Sequence, residues 1–248
     1  MIERCLVKLQ LKMDWIERFS EVISKNKWHR YFYTLCRLLL SYAFIVAGVV
    51  KIVGERFASG LSELHPMGAF LTALHETGFY YTFIGIVQLI AGVLLVIRRT
   101  AVVGALIYFP IILNICVLSI AVRFEGSLFP TPLMVLANGY ILAWNYPKWK
   151  FIVPWINTEN NTSREAVVDS RFPIGFFSVV LASVLGVYAL AQYGFDIVPR
   201  NSKADCFTQY VGTVHEAAAR EFCECVHDEG TNLDQCLENF QNSKARPN

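Results

Sequence analysis

The chain has 248 residues, 54% of them hydrophobic and 17% charged, with a formal net charge of +2. That balance lies outside the usual range of soluble domains, and between Leu38 and Val122 the charged residues are only Lys51, Glu55, Arg56, Glu63, Glu76, Arg98 and Arg99. Apolar segments this long and uninterrupted exclude a soluble globular protein, an intrinsically disordered chain and a small disulfide-stapled secreted domain.

Residues 1–32 read as a basic, amphipathic segment on the cytoplasmic side. Trp15, Ile16, Phe19, Val22 and Ile23 recur at helical spacing between Asp14, Glu17, Arg18 and Glu21. Such a helix either lies on the membrane surface, with Lys25, Lys27 and Arg30 near anionic headgroups, or packs on the bundle or on a partner. The first apolar run follows all of these residues and has no small-residue cleavage site after it, so it is expected to stay as a span.

A bilayer core about 30 Å thick takes roughly 20 mostly apolar helical residues, because backbone amides find no water there. Five segments meet that requirement: Thr34 to Val53, Phe79 to Ile97, Ala101 to Val122, Leu128 to Tyr146 and Ile174 to Phe195. The expected fold is all-α and polytopic. It consists of a four-helix transmembrane bundle over residues 33–147, a linker over 148–173, a fifth transmembrane helix over 174–195 and a small helical exported domain over 196–248.

Polar residues within or beside the spans are the candidate site. Lys51, near the end of the first span, either snorkels to the interface or turns inward toward a carboxylate, and Glu76 is the candidate partner at similar depth. Gln88, Asn114 and Asn138 fall on the second, third and fourth spans at one shared depth near mid-membrane. Amides exposed to lipid would lack partners, so all three are expected to face the bundle interior and one another. They then serve as interhelical hydrogen bonds or as a ligand or ion site. Phe79, Tyr80, Tyr81, Trp144, Tyr146 and Trp149 suit interfacial belts and need no further role. Asn160 to Ser163 contains overlapping glycosylation-type triplets but reads as a polar linker. On the fifth span Ser178, Ala182 and Gly186 form a small-residue face suited to packing on the bundle.

Basic residues fix the expected orientation. They concentrate before the first span, between the second and third, and between the fourth and fifth, which places those segments inside, with the N-terminus cytoplasmic and the C-terminus extracytoplasmic. The tail from Asp196 has five Lys or Arg against nine Asp or Glu, a net −4, leaving +6 for the rest. Cys206, Cys223, Cys225 and Cys236 all fall in this tail, an even set suited to an oxidising compartment.

The tail reads as a helical hairpin broken at Glu229 and Gly230, with Thr231 or Asn232 placed to cap the second helix. Cys225 and Cys236 then face each other across antiparallel helices, and Cys206 pairs with Cys223 if the preceding segment doubles back. Three connectivities remain open. A redox pair at Cys223-Glu-Cys225, or a zinc site including His227, is the weaker alternative, because neither spacing matches a known motif. His215 and His227 read as solvated. No metal centre is assigned.

The segment RLLLSYAFIVAGVVK, from Arg37 to Lys51, resembles the first span of DoxX-like bacterial membrane proteins, with their Gly-x-x-Lys near its end. IGIVQLIAGVLLVIRRTAVVGALIYFPIILN, from Ile84 to Asn114, is similar to that family's second and third spans. The resemblance covers roughly residues 34 to 147. It implies a four-helix bundle in a bacterial inner membrane and an association with oxidoreductase systems such as thiosulfate–quinone oxidoreductase. Gly48 and Lys51 match the motif, whereas Gln88 stands where relatives often have Glu. The fifth span and the tail lie outside the resemblance.

The expected function is therefore a subunit of a membrane redox system, with a quinone held around Lys51, Gln88, Asn114 and Asn138. Lipid and redox proteins are the expected partners, and nucleic acid is not. The alternative is a non-enzymatic scaffold or small-solute transporter whose exported tail acts in recognition. The sequence has no haem-ligand pair, flavin or nicotinamide fingerprint, or in-membrane Cys-x-x-Cys, and assigns no catalytic residue.

Overall fold

Asn26 starts the first long helix. Its side chain accepts a hydrogen bond from the Trp28 amide, which caps α1, Lys27–Val53, seven residues before the apolar run begins. At the other end Gly54, with φ 88°, takes the left-handed conformation that lets its amide and that of Glu55 return to the last carbonyls of the helix. This computed structural model describes residues 19–20, 22–149 and 169–245. The basic residues from Arg4 to Arg18, most of the amphipathic segment and the Asn160 to Ser163 triplets lie outside the described residues.

Beyond α1 come α2, Pro66–Glu76, α3, Phe79–Val96, α4, Ala101–Ala121, the single turn α5, Glu125–Leu128, and α6, Pro130–Trp144. Pro130 and Pro132 fall in the first turn of α6, where a missing N–H leaves no helical bond broken. A second short turn, α7, Tyr146–Trp149, precedes the long helix α8, Ile174–Tyr193. The tail consists of α9, Lys203–Phe207, α10, Glu216–His227, and α11, Leu233–Ala245. Among the described residues five helices are long and apolar enough to cross a membrane, with α5 and α6 counted as one, so the chain is an all-α, multi-pass membrane protein.

Four of the long helices close a ring: α1 packs on α3 and α6, and α4 packs on α3 and α6. Glycine makes the first of these contacts. A Cβ on Gly48 would stand 2.7 Å from the Gly85 carbonyl oxygen, and one on Gly92 would stand 2.8 Å from Ile45. The backbones of α1 and α3 therefore touch, and Ser41 Oγ donates across the gap to the Gly92 carbonyl at 2.8 Å. Gly104 extends the same close packing from α4 onto Ala91 and Leu95.

The end of α3 is satisfied group by group. Its last four carbonyls accept from the Ile97 amide, from Thr100 Oγ1, and from Arg37 Nε and Nη2, the last two at Leu95 and Val96. Arg37 reaches them from within α1, buried, with its cation favourably placed at a helix C-terminus.

Helix α8 contributes no buried residue. It meets the bundle through Phe176 and Phe177 against Phe32 and through Tyr188 against Phe129. The small face of Ser178, Ala182 and Gly186 is exposed, and nothing lies within 4 Å of a Cβ on Gly186. This corrects the expected packing: bulky aromatics at the helix ends, rather than the small stripe, meet the bundle. At the amino-terminal side Ser20 donates to the Trp144 carbonyl and Ile23 is buried in the bundle core, so the described part of the amphipathic segment packs on the bundle.

The tail closes on its own core of Ile197, Phe222, Val226 and Phe240, with disulfides Cys206–Cys223 and Cys225–Cys236 inside it. The segment from Cys206 does double back, and Asn232 accepts from the Asp234 amide to cap α11. Both pairs hold their sulfurs, which leaves no thiolate for zinc. The core is docked on the bundle rather than tethered beside it. Arg123 donates to the Ile197 carbonyl at 2.9 Å, Arg200 pairs with Glu125, and Leu64 packs where a Cβ on Gly230 would fall. His227 is buried, not solvated as its polar surroundings in the sequence suggest, with Nε2 2.7 Å from the Pro199 carbonyl. Its ring centroid lies 5.9 Å from that of His65, which is fully buried beneath the tail.

Two predictions follow from these contacts. Replacing Arg37 with Leu strands two carbonyls of α3 in an apolar interior and should cost about 2–6 kcal/mol, read as a lower denaturation midpoint in detergent. For the tail, burial first, and His227 second, push His65 down from 6.5 to about 4, with the nearby Arg200 backbone acting in the opposite direction. The docked state thus binds the His65 proton more weakly than the released state does. Docking is strongest above about pH 6.5 and weakens progressively toward about pH 4. Amide exchange at the tail–loop contact should rise across that window, and His65→Gln should flatten the response.

Candidate functional site

The interior of the bundle is organised around a stacked pair, Phe44 of α1 and Tyr108 of α4, with ring centroids 3.5 Å apart. The register of the close contacts sets the neighbours of this pair. Gly48 sits against Gly85 and Leu89, and Gly92 against Ser41 and Ile45, so Gln88 lies between them, within about one turn of the level of Phe44. Gly104 sits against Ala91 and Leu95, which brings Tyr108, one turn further on, to the level of Gln88. Asn138 enters from α6, fully buried, and donates to the Ala105 carbonyl at 3.0 Å. Pro110 lacks the amide that would otherwise close the next turn of α4, loosening the helix beside that carbonyl.

This layer is polar and incompletely paired. Gln88 Oε1, Tyr108 OH and Asn138 Oδ1 are buried without a hydrogen-bond partner. Gln88 and Asn138 thus face the interior as the sequence suggests, but Asn114 does not. It is exposed on the outer face of α4, because six residues at about 100° each turn it some 120° away from Tyr108. Its place in the layer is taken by Tyr108, which the sequence reading passed over.

Lys51 turns inward and is buried. Gly85 makes the turn feasible, since a Cβ there would meet the Lys51 Cβ at 2.7 Å. The ammonium donates to the Ala47 carbonyl at 3.2 Å and lies 4.7 Å from the Phe57 ring centroid and 5.8 Å from that of Tyr81. Tyr81 fixes this enclosure: its hydroxyl donates to the Glu55 carbonyl and accepts from the Phe57 amide, each at 2.9 Å. Glu76 is exposed at the end of α2, and among the described residues no ion pair joins it to Lys51. The expected carboxylate is replaced by a carbonyl and two aromatic faces. Among the described residues no group of three or more His, Cys, Asp or Glu is placed to hold a metal ion.

The glycine contact under Lys51 is directly testable. Gly85→Val would push α3 off α1 and the Lys51 side chain off its seat, at a cost of roughly 1–3 kcal/mol for an overpacked contact. The thermal midpoint should fall, and alkaline modification of Lys51 by an amine reagent should rise.

Comparison with known proteins gives one informative relative. The "Uncharacterized protein YwoB" of Bacillus subtilis (strain 168) is 34% identical over 113 residues, a stretch that covers 44% of this chain and 72% of that protein. No family model matches the chain. No solved structure matches it either. With this identity over most of the relative's length, the chain belongs to the family of the Bacillus protein YwoB.

Proposed function

We propose that the chain is a binding subunit of a membrane redox system, a DoxX-like protein of a bacterial inner membrane that holds the polar head of a quinone or quinol inside its four-helix bundle. The observation that carries this reading is the set of three buried, unpartnered polar atoms on Gln88, Tyr108 and Asn138. A buried polar group without a partner costs free energy, and here three of them accumulate in one part of the interior rather than being removed.

Their chemistry suits such a head. Gln88 Oε1 and Asn138 Oδ1 accept, and Tyr108 OH both donates and accepts, so a quinol hydroxyl has acceptors and a quinone carbonyl has a donor. Lys51 adds a cation enclosed by aromatic rings. The role assigned to these residues is binding and orientation. Electron transfer belongs to partner proteins, consistent with the absence of a redox fingerprint in the sequence. The tail-bearing side is assigned to the extracytoplasmic face on the distribution of basic residues, and the disulfides accord with that assignment.

The test is quinol and quinone binding to the purified full chain in detergent. The unaltered protein should bind, and Gln88→Leu and Tyr108→Phe should each weaken binding about tenfold, the equivalent of one hydrogen bond of roughly 1.4 kcal/mol. Asn114→Leu, on the outer face, should leave affinity unchanged. Undetectable binding by the intact protein rejects the reading. Variants that alter assembly or solute flux at unchanged quinone affinity would favour a scaffold or transporter instead.

A further inference from the structure

Where α5, α6 and α8 meet the tail there is a cavity of about 200 Å³. Its lining divides by origin. Leu128, Phe129 and Ala191 come from the ends of the spans, whereas Asp196, Val198 and Arg200 come from the tail just beyond. The cavity therefore straddles the level where hydrocarbon gives way to water.

Its lining carries both signs, Arg200 against the carboxylates of Glu125 and Asp196, with Lys244 beside the second carboxylate. Arg200 pairs with Glu125, and Asp196 lies 3.6 Å from Lys244 and accepts from Gln241. A guest with a net charge would leave one of these groups unmatched, whereas a zwitterion can face both. Arg200 has a φ of 57°, in a region that non-glycine residues seldom take, so its place on the wall is held against local backbone preference.

Two further features point to lipid. Every residue of α8 is at least partly exposed, so acyl chains reach the cavity along that helix. Gln209, also in the lining, is followed by Val211 and Val214, exposed apolar side chains on a tail that is otherwise acidic. The volume is below the roughly 300 Å³ at which drug-sized pockets begin, so a headgroup and its first methylenes fit better than a whole amphiphile.

We propose that this cavity binds the phosphoethanolamine head of a phospholipid from the adjoining leaflet. Its phosphate sits at Arg200, its ammonium at Glu125 and Asp196, and the start of its acyl chains lies against Leu128, Phe129 and Ala191. The bound lipid joins α8 to the tail and makes the fifth helix part of the assembly without a packed protein interface.

The experiment is native mass spectrometry of the full chain, with defined lipids added in detergent. Phosphatidylethanolamine should be retained at least about tenfold better than phosphatidylglycerol. Arg200→Gln combined with Glu125→Gln should abolish that preference. Because this pair also helps dock the tail, Ala191→Phe provides a second arm: it fills the cavity from a helix that buries nothing, and should remove the bound lipid with both disulfides and the tail contact intact. Equal retention of phosphatidylglycerol, or phosphatidylethanolamine retained at full strength by Ala191→Phe, overturns the proposal. Soluble phosphoethanolamine should compete only weakly, and competition as tight as the lipid's own binding would reassign the cavity to a water-soluble zwitterion and overturn the lipid assignment.

Discussion

The backbone contact between α1 and α3 at Gly48, Gly85 and Gly92 is the interaction on which the rest of the bundle depends. Lipid tails are as apolar as leucine, so helices in a membrane gain little by burying apolar surface against each other and rely on close packing instead. Three glycines in register supply that packing, with the Ser41 hydroxyl bonded across it. The same contact sets the site. It leaves room for the Lys51 stem over Gly85, fixes the height of Gln88 against Phe44, and through Gly104 brings Tyr108 onto Phe44. The Gly-x-x-Lys pattern thus has a physical content here: the glycine admits the neighbouring helix, and the lysine one turn later lies along it.

Two parts of the interior treat polar groups in opposite ways, and the contrast bears on function. At the end of α3 every one of the last four carbonyls has a partner, two of them on Arg37, a residue that is costly to bury and is bonded through both Nε and Nη2. Around Tyr108, in the same apolar surroundings, three polar atoms have none. A chain that completes the first set has the means to complete or delete the second. Leaving it open is understandable if something outside the chain supplies the missing bonds, which is why the polar layer, rather than the more heavily charged Arg37, is the candidate site.

How much of this was legible in the sequence follows from what the membrane does to the hydrophobic pattern. The spans were legible because roughly 20 apolar residues are a length requirement set by the bilayer, and sequence measures length well. The tail's disulfide pairing was within reach because Cys225 and Cys236 straddle the break at Gly230 almost evenly. What failed was angle. Asn114 is expected at the depth of Gln88 and Asn138 but lies six residues, about 9 Å, along α4 from Tyr108 and points outward, and Ser178, Ala182 and Gly186 line up on α8 yet face away from the bundle. In a soluble helix an apolar stripe shows the inward face; in a span both faces are apolar, and that signal is lost. Glu76 and His227 failed for another reason. Their environments are made by contacts distant in sequence, a loop that gives Lys51 aromatic faces instead of a carboxylate and a tail that folds back over His65.

The segment between α1 and α2 links the two halves of the molecule. Its first residues enclose Lys51, through Phe57 and the hydroxyl of Tyr81. Its last residues, Leu64 and His65, lie beneath the docked tail against Gly230 and His227. Arg56 stiffens the span between them, donating to the Ser59 and Leu61 carbonyls and to Thr72 of α2. A displacement of the tail therefore has a short, hydrogen-bonded route to the surroundings of Lys51, and a guest that moves Lys51 has the same route back. Any coupling through this route is reciprocal by thermodynamic necessity. The tail is in this way joined to the loop that encloses Lys51.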